Sequence, residues 1–323
     1  MSKVQSTSVA TYEQPACICC GATGELIHTE LVDHLFSAPG TWNIRQCANV
    51  TCRLAWLDPQ PERQEIGKFY RNYWTHGDGA TSVPAPDAQI SRRWKRQVRS
   101  VLSLVLPWRY HALRSDGRYL ADMPSGRLVD VGCGMGEFAA GMAMRGWVVD
   151  GIDFDEDALA IARQQPNITV RIGALADQDY SSDTLDAITM SNVIEHIPDP
   201  LETFTECHRV LKSRGRLIMI TPNIQSIGHD VFGVDWRGLE PPRHLYLYTA
   251  AALKRMAKAA GFSKVRAFST PGAAMVMFES SNEIAVKNGR SARGGLRGML
   301  RREKFATALG RPCGEWVILW AEK

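Results

Sequence analysis

The chain has 323 residues, of which 45% are hydrophobic and 22% charged, as expected for one α/β domain with appended segments. Its formal net charge of +4 is too small to indicate nucleic-acid binding without a concentrated basic patch. The polar stretch 1–13 lacks the apolar core of a secretory signal, and no apolar run approaches the roughly 20 residues of a membrane span. We therefore expect a cytoplasmic protein with no transmembrane segment and no clear nucleic-acid partner.

Five of the eight cysteines lie in a short module that we place at residues 15–62, after a polar tail over 1–14. A reducing compartment favours metal binding over disulfides in such a cluster. Thiolates separated by roughly two to four residues on tight turns can converge on one zinc ion, and Cys20-Gly21 is typical of such a turn. The spacing of the second pair is wide, so unliganded buried or reactive thiols remain an alternative. The predicted ligands of a structural, zinc-ribbon-like site are Cys17, Cys20, Cys47 and Cys52, with Cys19 outside it.

A helical connector is predicted over residues 63–125. Arginine and lysine are frequent in its segment 91–118 and again in a later segment, 288–304. Both segments are typical of solvated helix faces. The alternative is contact with an anionic acceptor, a carrier phosphate or a membrane surface, with the first segment acting as a lid.

From residue 126 onward short apolar runs alternate with amphipathic segments, which is the pattern of a parallel sheet with crossover helices. Five strands are predicted at 128–131, 148–152, 168–172, 185–190 and 216–221. Helices are predicted at 138–145, 155–164, 200–212 and 249–261. Two further strands, 264–269 and 316–321, form a closing hairpin that is interrupted by an insertion at about 272–312.

The first of these strands runs into Gly132-Cys133-Gly134-Met135-Gly136, a turn in which a ligand can approach the backbone at the start of a helix. Asp153 ends the second strand, where a carboxylate can accept both hydroxyls of a ribose. The glycine spacing is G-x-G-x-G, whereas dinucleotide sites have G-x-G-x-x-G, and no second mononucleotide-binding half follows. The spacing therefore favours S-adenosylmethionine over NAD, while the loop alone would also suit a structural turn.

Further motifs follow at 191–200, 209–212 and 221–223. Together with 129–136 and 151–153 they resemble the class I S-adenosylmethionine-dependent methyltransferases. More narrowly they are similar to the branch of ubiquinone-biosynthesis O-methyltransferases and sugar or antibiotic tailoring enzymes. The resemblance implies an α/β, Rossmann-like seven-stranded sheet with an antiparallel last strand. It extends to relatives in which a zinc ribbon precedes this domain.

The resemblance also implies which residues contact the cofactor. Asp130 and the glycines would hold the methionine end, and Asp153 the ribose. The family usually has an acidic residue after strand three for adenine, and this chain has Gly173-Ala174-Leu175 there. We therefore expect the adenine contact from this backbone or from Asp177 or Asp179. The predicted cofactor contacts are Asp130, Gly132, Cys133, Gly134, Gly136, Asp153, Phe154, Ala174, Leu175 and Ser191.

Three residues are predicted to be catalytic. Glu195 and His196 follow the fourth strand, at the edge where open α/β sheets bind ligands. A histidine there can take the proton of an acceptor hydroxyl while the oxygen attacks the methyl group. His244 can reach the same edge and complete a set able to hold a divalent metal, although related metal sites have a Glu where this chain has Asn192. Three interpretations of these residues remain. His196 acts as a direct base, the set binds a metal, or the histidines only brace the loops by hydrogen bonds.

The sequence thus predicts a methyltransferase that O-methylates a small molecule or a sugar or glycan hydroxyl, and assembly into a homo-oligomer is compatible with it. C- or N-methylation of a natural-product intermediate is the alternative within enzymes. From another class, a zinc-ribbon nucleic-acid-binding protein with an inactive methyltransferase fold is a further alternative. The intact Asp130, Gly132, Gly134 and Asp153 argue against that last alternative.

Overall fold

The computed structural model describes residues 9–70 and 118–323, which form a seven-stranded sheet with helices around it, a small four-stranded sheet and a two-stranded sheet. The first basic segment, up to residue 117, lies outside the described residues apart from Arg118. So does most of the predicted connector over 63–125. None of the described helices is long and apolar enough to cross a membrane.

The N-terminal part contains β1 (Thr11–Tyr12), β2 (Gly24–Leu31), β3 (Trp42–Cys47), β4 (Ala55–Asp58), β5 (Gln60–Pro61) and a 3₁₀ helix, Arg63–Tyr70. β2, β3 and β4 pair antiparallel, and the buried rings of Trp42 and Trp56 fill the space beneath them. The free edge of β4 pairs with a strand from much later in the chain, β11 (Tyr246–Leu247). The small sheet is therefore completed by the second half of the protein.

The strands of the large sheet are β6 (Arg127–Val131), β7 (Val148–Asp153), β8 (Ile168–Ile172), β9 (Leu185–Ser191), β10 (Leu211–Pro222), β12 (Lys264–Thr270) and β13 (Trp316–Glu322). Their order is β12-β13-β10-β9-β6-β7-β8. β13 runs antiparallel to both β10 and β12, whereas β6 to β10 pair parallel. The predicted seven-stranded sheet with an antiparallel last strand is confirmed.

The helices are α1 (Glu137–Ala143), α2 (Glu156–Ala162), α3 (Pro200–Val210), α4 (Ile227–Phe232), α5 (Ala250–Ala259), α6 (Ala274–Lys287) and α7 (Leu296–Ala308). Side chains cap the start of three of them: Asp155 accepts two N–H groups of α2, while Ser226 and Thr249 each accept one N–H group, of α4 and α5 respectively. The predicted extension of α3 to residue 212 is wrong, because the buried Leu211 turns into extended backbone and pairs with Leu185. The insertion between β12 and β13 consists of α6 and α7.

Candidate functional site

The glycine loop lies between β6 and α1, and its three glycines have positive φ angles: 70° at Gly132, 52° at Gly134 and 78° at Gly136. A Cβ on Gly132 would lie 2.2 Å from Val193 Cγ2, and one on Gly136 would lie 2.9 Å from Ile168 Cδ1. Close packing therefore requires both glycines. A Cβ on Gly134 would meet none of the described atoms within 4 Å. Gly134 is thus the loop residue whose backbone is open to an approaching ligand.

Asp153, at the end of β7, lies against this loop. Its Oδ2 accepts the N–H of Gly134 at 2.8 Å, and its Oδ1 accepts the N–H of Asp155 at 3.0 Å. The next side chain, Phe154, is 72% exposed, so its ring is accessible to a planar group from solvent. A carboxylate and an aromatic face therefore stand side by side next to the glycine loop.

Asp130 is fully buried in β6, where its carboxylate accepts from Thr189 Oγ1 at 2.6 Å and from the guanidinium of Arg118. Burial raises the pKa of Asp130, against the opposing effects of Arg118 and Thr189. The Arg118 guanidinium also lies over the Phe138 ring, 3.8 Å from its centroid. Sequence reasoning missed this partner, because Arg118 belongs to a basic segment typical of a solvated helix face.

Besides Asp130, two predicted cofactor contacts, Cys133 and Leu175, have buried side chains. A Cβ on Gly151 would lie 2.8 Å from Cys133 Sγ, and burial raises the pKa of this thiol to about 12. Leu175 is buried as well, while the N–H of its neighbour Ala174 donates to Asp177 Oδ2 at 2.8 Å. Cys133 and Leu175 therefore face the interior, and only their backbone can contribute to a ligand site.

The three predicted catalytic residues come together at the carboxyl edge of the large sheet. Glu195 and His196 lie in a short 3₁₀ helix, Ile194–His196, which begins just after Ser191, the last residue of β9. One donor atom each of Glu195, His196 and His244 lies within 4.8 Å of the others, and the two imidazole centroids are 4.8 Å apart. Because Val193 packs on Gly132, the cluster is adjacent to the glycine loop.

Both histidines are oriented by backbone carbonyls. His196 Nδ1 lies 3.0 Å from the Arg243 carbonyl and also 3.0 Å from the Tyr70 hydroxyl, and His244 Nδ1 lies 2.7 Å from the Gly238 carbonyl. Because a carbonyl only accepts, each ring carries its proton on Nδ1 and keeps a lone pair on Nε2. Burial lowers the pKa of His196 and lowers that of His244 to about 3.

Glu195 is the most constrained member of the cluster. Its side chain is fully buried, and its Oε2 accepts from the Thr221 hydroxyl at 2.9 Å. Its Oε1 has no hydrogen-bond partner among the described residues. Burial raises the pKa of Glu195 to about 8. Because an unsatisfied buried carboxylate oxygen is costly, a donor or a cation bound at this oxygen would be stabilising.

A set of charged residues around the cluster was not predicted. Glu240 Oε2 lies 3.6 Å from His244 Nε2, and the Glu240 carboxylate accepts from Arg243 Nε at 2.9 Å and from Arg237. Burial acts to raise the pKa of Glu240, but the charges of Arg237 and Arg243 hold it well below its usual range. Arg243 also donates to Asp33 of the N-terminal module at 2.7 Å. The irregular loop that carries these residues has no periodic pattern from which the contacts could have been predicted.

The four predicted cysteine ligands also converge. Their sulfur atoms lie within 4.8 Å of one another, and Gly21, with φ of 74°, completes the tight turn after the first pair. Two of the Sγ–Sγ distances are 3.8 Å and 3.4 Å, longer than a disulfide bond and suited to thiolates around one metal. The Cys19 sulfur is outside this set and faces the Ala252 carbonyl at 3.7 Å. The sulfur atoms of Cys17, Cys20, Cys47 and Cys52 thus lie together, and this donor set fits a tetrahedral zinc ion.

Comparison with known proteins gives a consistent result. A family model described as a methyltransferase domain matches residues 105–267. A curated protein of Alkalilimnicola ehrlichii, named ubiquinone biosynthesis O-methyltransferase, is 35% identical over 146 residues, or 42% of this chain and 57% of the relative. A protein of the same name from Pseudomonas syringae pv. tomato is 32% identical over 109 residues, or 32% of this chain and 47% of the relative. The chain thus spans about half the length of the curated relatives it matches.

Two solved structures are similar at low identity. Haemonchus contortus phosphoethanolamine N-methyltransferase 2 in complex with S-adenosyl-L-methionine is 18% identical, with a TM-score of 0.47 over 66% of this chain and 52% of that chain. An S-adenosylmethionine-dependent methyltransferase from Mesorhizobium loti is 21% identical, with a TM-score of 0.46 over 66% of this chain and 97% of that chain.

Proposed function

The chain belongs to the class I S-adenosylmethionine-dependent methyltransferases, and we propose that it transfers the cofactor's methyl group to a hydroxyl oxygen of a small molecule. The observation that carries the proposal is the cluster of Glu195, His196 and His244 beside the glycine loop. It offers two lone-pair nitrogens and a carboxylate at the edge where acceptor and methyl group have to meet. An attacking hydroxyl has to lose its proton, and groups of this kind remove or stabilise it.

In this proposal the cofactor lies over the carboxyl ends of β6, β7 and β9. Asp153 accepts the ribose hydroxyls, the loop around Gly134 contacts the methionine end, and Phe154 packs against the adenine. The space in front of Gly134 and the exposure of Phe154 support this placement. The buried Asp130 carboxylate accepts from Arg118 and Thr189, so in this proposal its role is to fix the conformation of the glycine loop.

The same cluster fits a divalent cation. Histidines that ligate a metal usually donate their other N–H to a carbonyl, as both do here, and Glu195 adds an oxygen donor whose proton a bound cation would displace. A bound divalent cation would lower the pKa of an acceptor hydroxyl. The position three residues before Glu195 holds an exposed Asn192, so this chain would use three side-chain ligands.

The acceptor class follows from the relatives' names. Both are named for ubiquinone biosynthesis, and ubiquinone carries methoxy groups on its ring, so hydroxyls on aromatic rings come first in our proposal. The sugar or glycan acceptor predicted from sequence has no support among these relatives and comes second.

The test is His196→Ala in the full chain, assayed with labelled S-adenosylmethionine and a panel of catechols and sugar nucleotides. We expect turnover to fall about 10²- to 10⁴-fold, while the Kd for S-adenosylhomocysteine by calorimetry stays within about twofold. His208→Ala is the matched control, because His208 lies on α3 with its ring edge-on to Phe262. Unchanged turnover in His196→Ala would refute the role of the cluster.

A second measurement separates the two ways of handling the proton. If turnover is lost in EDTA and restored by Mg²⁺ or Mn²⁺, the three side chains bind a cation that activates the hydroxyl. If activity in EDTA is full, His196 Nε2 removes the proton directly. Failure of the wild-type protein to bind S-adenosylhomocysteine would support the alternative, a zinc-ribbon nucleic-acid-binding protein with an inactive methyltransferase fold.

A further inference from the structure

The segment that contains His244 is hydrogen-bonded to the N-terminal module. Immediately after this histidine, β11 forms the edge strand of the small sheet by pairing with β4. The Leu57 N–H donates to the Leu245 carbonyl at 3.0 Å, and the Leu245 N–H donates to the Glu195 carbonyl at 2.8 Å. Two members of the catalytic cluster are therefore tied, through one residue, to a strand of the module.

Arg243 makes the second connection, and it reaches the third member of the cluster. Its carbonyl oxygen accepts from His196 Nδ1 at 3.0 Å, while its guanidinium donates to Asp33 at 2.7 Å and to Glu240 at 2.9 Å. The guanidinium also lies over the Phe36 ring, 4.7 Å from its centroid. One residue thus contacts a histidine of the cluster with its backbone and the N-terminal module with its side chain.

Asp33 is built into the module at the other end of this connection. Its side chain is 3% exposed and that of Arg243 is 0% exposed, so the ion pair is shielded from water. The same carboxylate accepts the N–H groups of Leu35, Phe36 and Ala38 at 3.0–3.1 Å. These bonds fix the carboxylate on its own loop, so it is a rigid anchor for the arginine. Removing one partner of such a buried pair leaves the other charge uncompensated and allows its backbone to shift.

We propose that Asp33 is a positioning residue for methyl transfer, which holds in place, through Arg243, the carbonyl group that orients His196. This inference rests on the proposed function and assigns a role to the N-terminal module. The module supplies part of the frame of the catalytic cluster and is not merely attached to the methyltransferase domain. Asp33 acts on the histidine without touching the cofactor loop.

Asp33→Asn in the full chain tests the proposal, because asparagine keeps the size of the side chain and removes its charge. Outer partners of ligating or catalytic histidines contribute about 10- to 100-fold, so we expect kcat to fall by that factor. The Kd for S-adenosylhomocysteine should stay within about twofold, since the glycine loop is not touched. In protein prepared without added divalent cations, long-range ¹H–¹⁵N spectra should show the Nδ1–H tautomer of His196 in the wild type and a mixture in the variant. Comparison with His196→Ala assigns the signal.

Asp58→Asn is the control, because Asp58 belongs to the same module and forms an ion pair with Arg45 at 2.6 Å that is less buried than the Asp33–Arg243 pair. Its other bond goes to the Gln14 N–H, away from the cluster. We expect this variant to lose stability with kcat and tautomer unchanged. If Asp33→Asn does not fold, Arg243→Lys replaces it, because lysine keeps the charge but lacks the fork that reaches both Asp33 and Glu240.

Wild-type kcat and an unchanged His196 tautomer in Asp33→Asn would overturn the proposal. Equal losses of kcat in Asp33→Asn and Asp58→Asn would also overturn it, because they would indicate a general effect of module stability. If the wild type transfers methyl groups to none of the acceptors, the proposed function fails, and the tautomer spectra alone decide whether Asp33 positions His196.

Discussion

Gly134→Ala and Gly132→Ala should separate cofactor binding from folding within one loop. At Gly134 the added methyl group meets none of the described atoms within 4 Å, so the cost is the positive φ of 52°. That strain is about 1–2 kcal/mol, offset by about 0.4–1 kcal/mol from the stiffer unfolded chain. At Gly132 the methyl group also lies 2.2 Å from Val193 Cγ2, and such overpacking adds about 1–3 kcal/mol. We therefore expect destabilisation of about 1 kcal/mol in Gly134→Ala and about 2–4 kcal/mol in Gly132→Ala.

Cofactor affinity should fall most in Gly134→Ala, the variant that loses less stability. The methyl group on Gly134 occupies the space in which the cofactor would approach the backbone, so the Kd for S-adenosylhomocysteine should rise at least about tenfold, or 1.4 kcal/mol. Urea unfolding gives the stability of each variant, and calorimetric titration gives the Kd. A Gly134→Ala protein that is stable and binds the cofactor as tightly as the wild type would refute our placement of the ligand. Equal destabilisation of the two variants would refute the packing argument for Gly132.

Two further predictions concern the cysteine cluster and the C-terminal insertion. The purified chain should contain about one zinc ion by elemental analysis. Cys47→Ser should lose this zinc, whereas Cys19→Ser should retain it. A folded wild-type protein without zinc would contradict the site. Burial, together with the neighbouring Glu315, raises the pKa of Glu303 from its ordinary 4.5 to about 9, so the folded state holds a proton that the unfolded chain releases. The contribution of Glu303 to stability should be fully present below pH 4.5 and be lost as the pH rises towards 9, with a slope of at most about 1.4 kcal/mol per pH unit. Glu303→Gln keeps the acceptor for the Glu315 N–H and should flatten this slope in urea unfolding; parallel curves for both proteins would contradict it.

Elements with local signals were predicted from the sequence. The apolar runs of the large sheet, the helix starts near Asp155 and Thr249, and the glycines of the loop each act over a few residues, so their pattern is visible in the chain. The convergence of Glu195, His196 and His244 was predictable for a related reason. Both segments follow neighbouring parallel strands, whose carboxyl ends meet at one edge of the sheet.

Contacts between distant segments could not be predicted. β11 has two residues, too few for any periodic pattern, although it completes the small sheet. Thr249 caps α5 as predicted, yet its hydroxyl also donates to the Cys52 carbonyl at 2.7 Å, a contact that only the assembled fold creates. Nothing near Arg118 or Asp33 in sequence indicates that their partners are buried in distant segments. The sequence therefore predicted which cysteines, histidines and carboxyl groups lie close together, but not the residues that hold them in place.

The charges around the catalytic cluster explain why these supporting residues matter. Arg243 is bonded to Asp33 and Glu240, and Arg237 is bonded to Glu240, so opposite charges compensate one another inside the protein. Glu195 lies outside this network and has one oxygen without a partner among the described residues. A buried carboxylate of this kind is expensive unless a ligand completes it, and here the neighbouring histidines are held with their lone pairs available. In the proposed function these three side chains face a bound group that accepts electron pairs, and the Asp33–Arg243 pair supplies the rigidity that such a site requires.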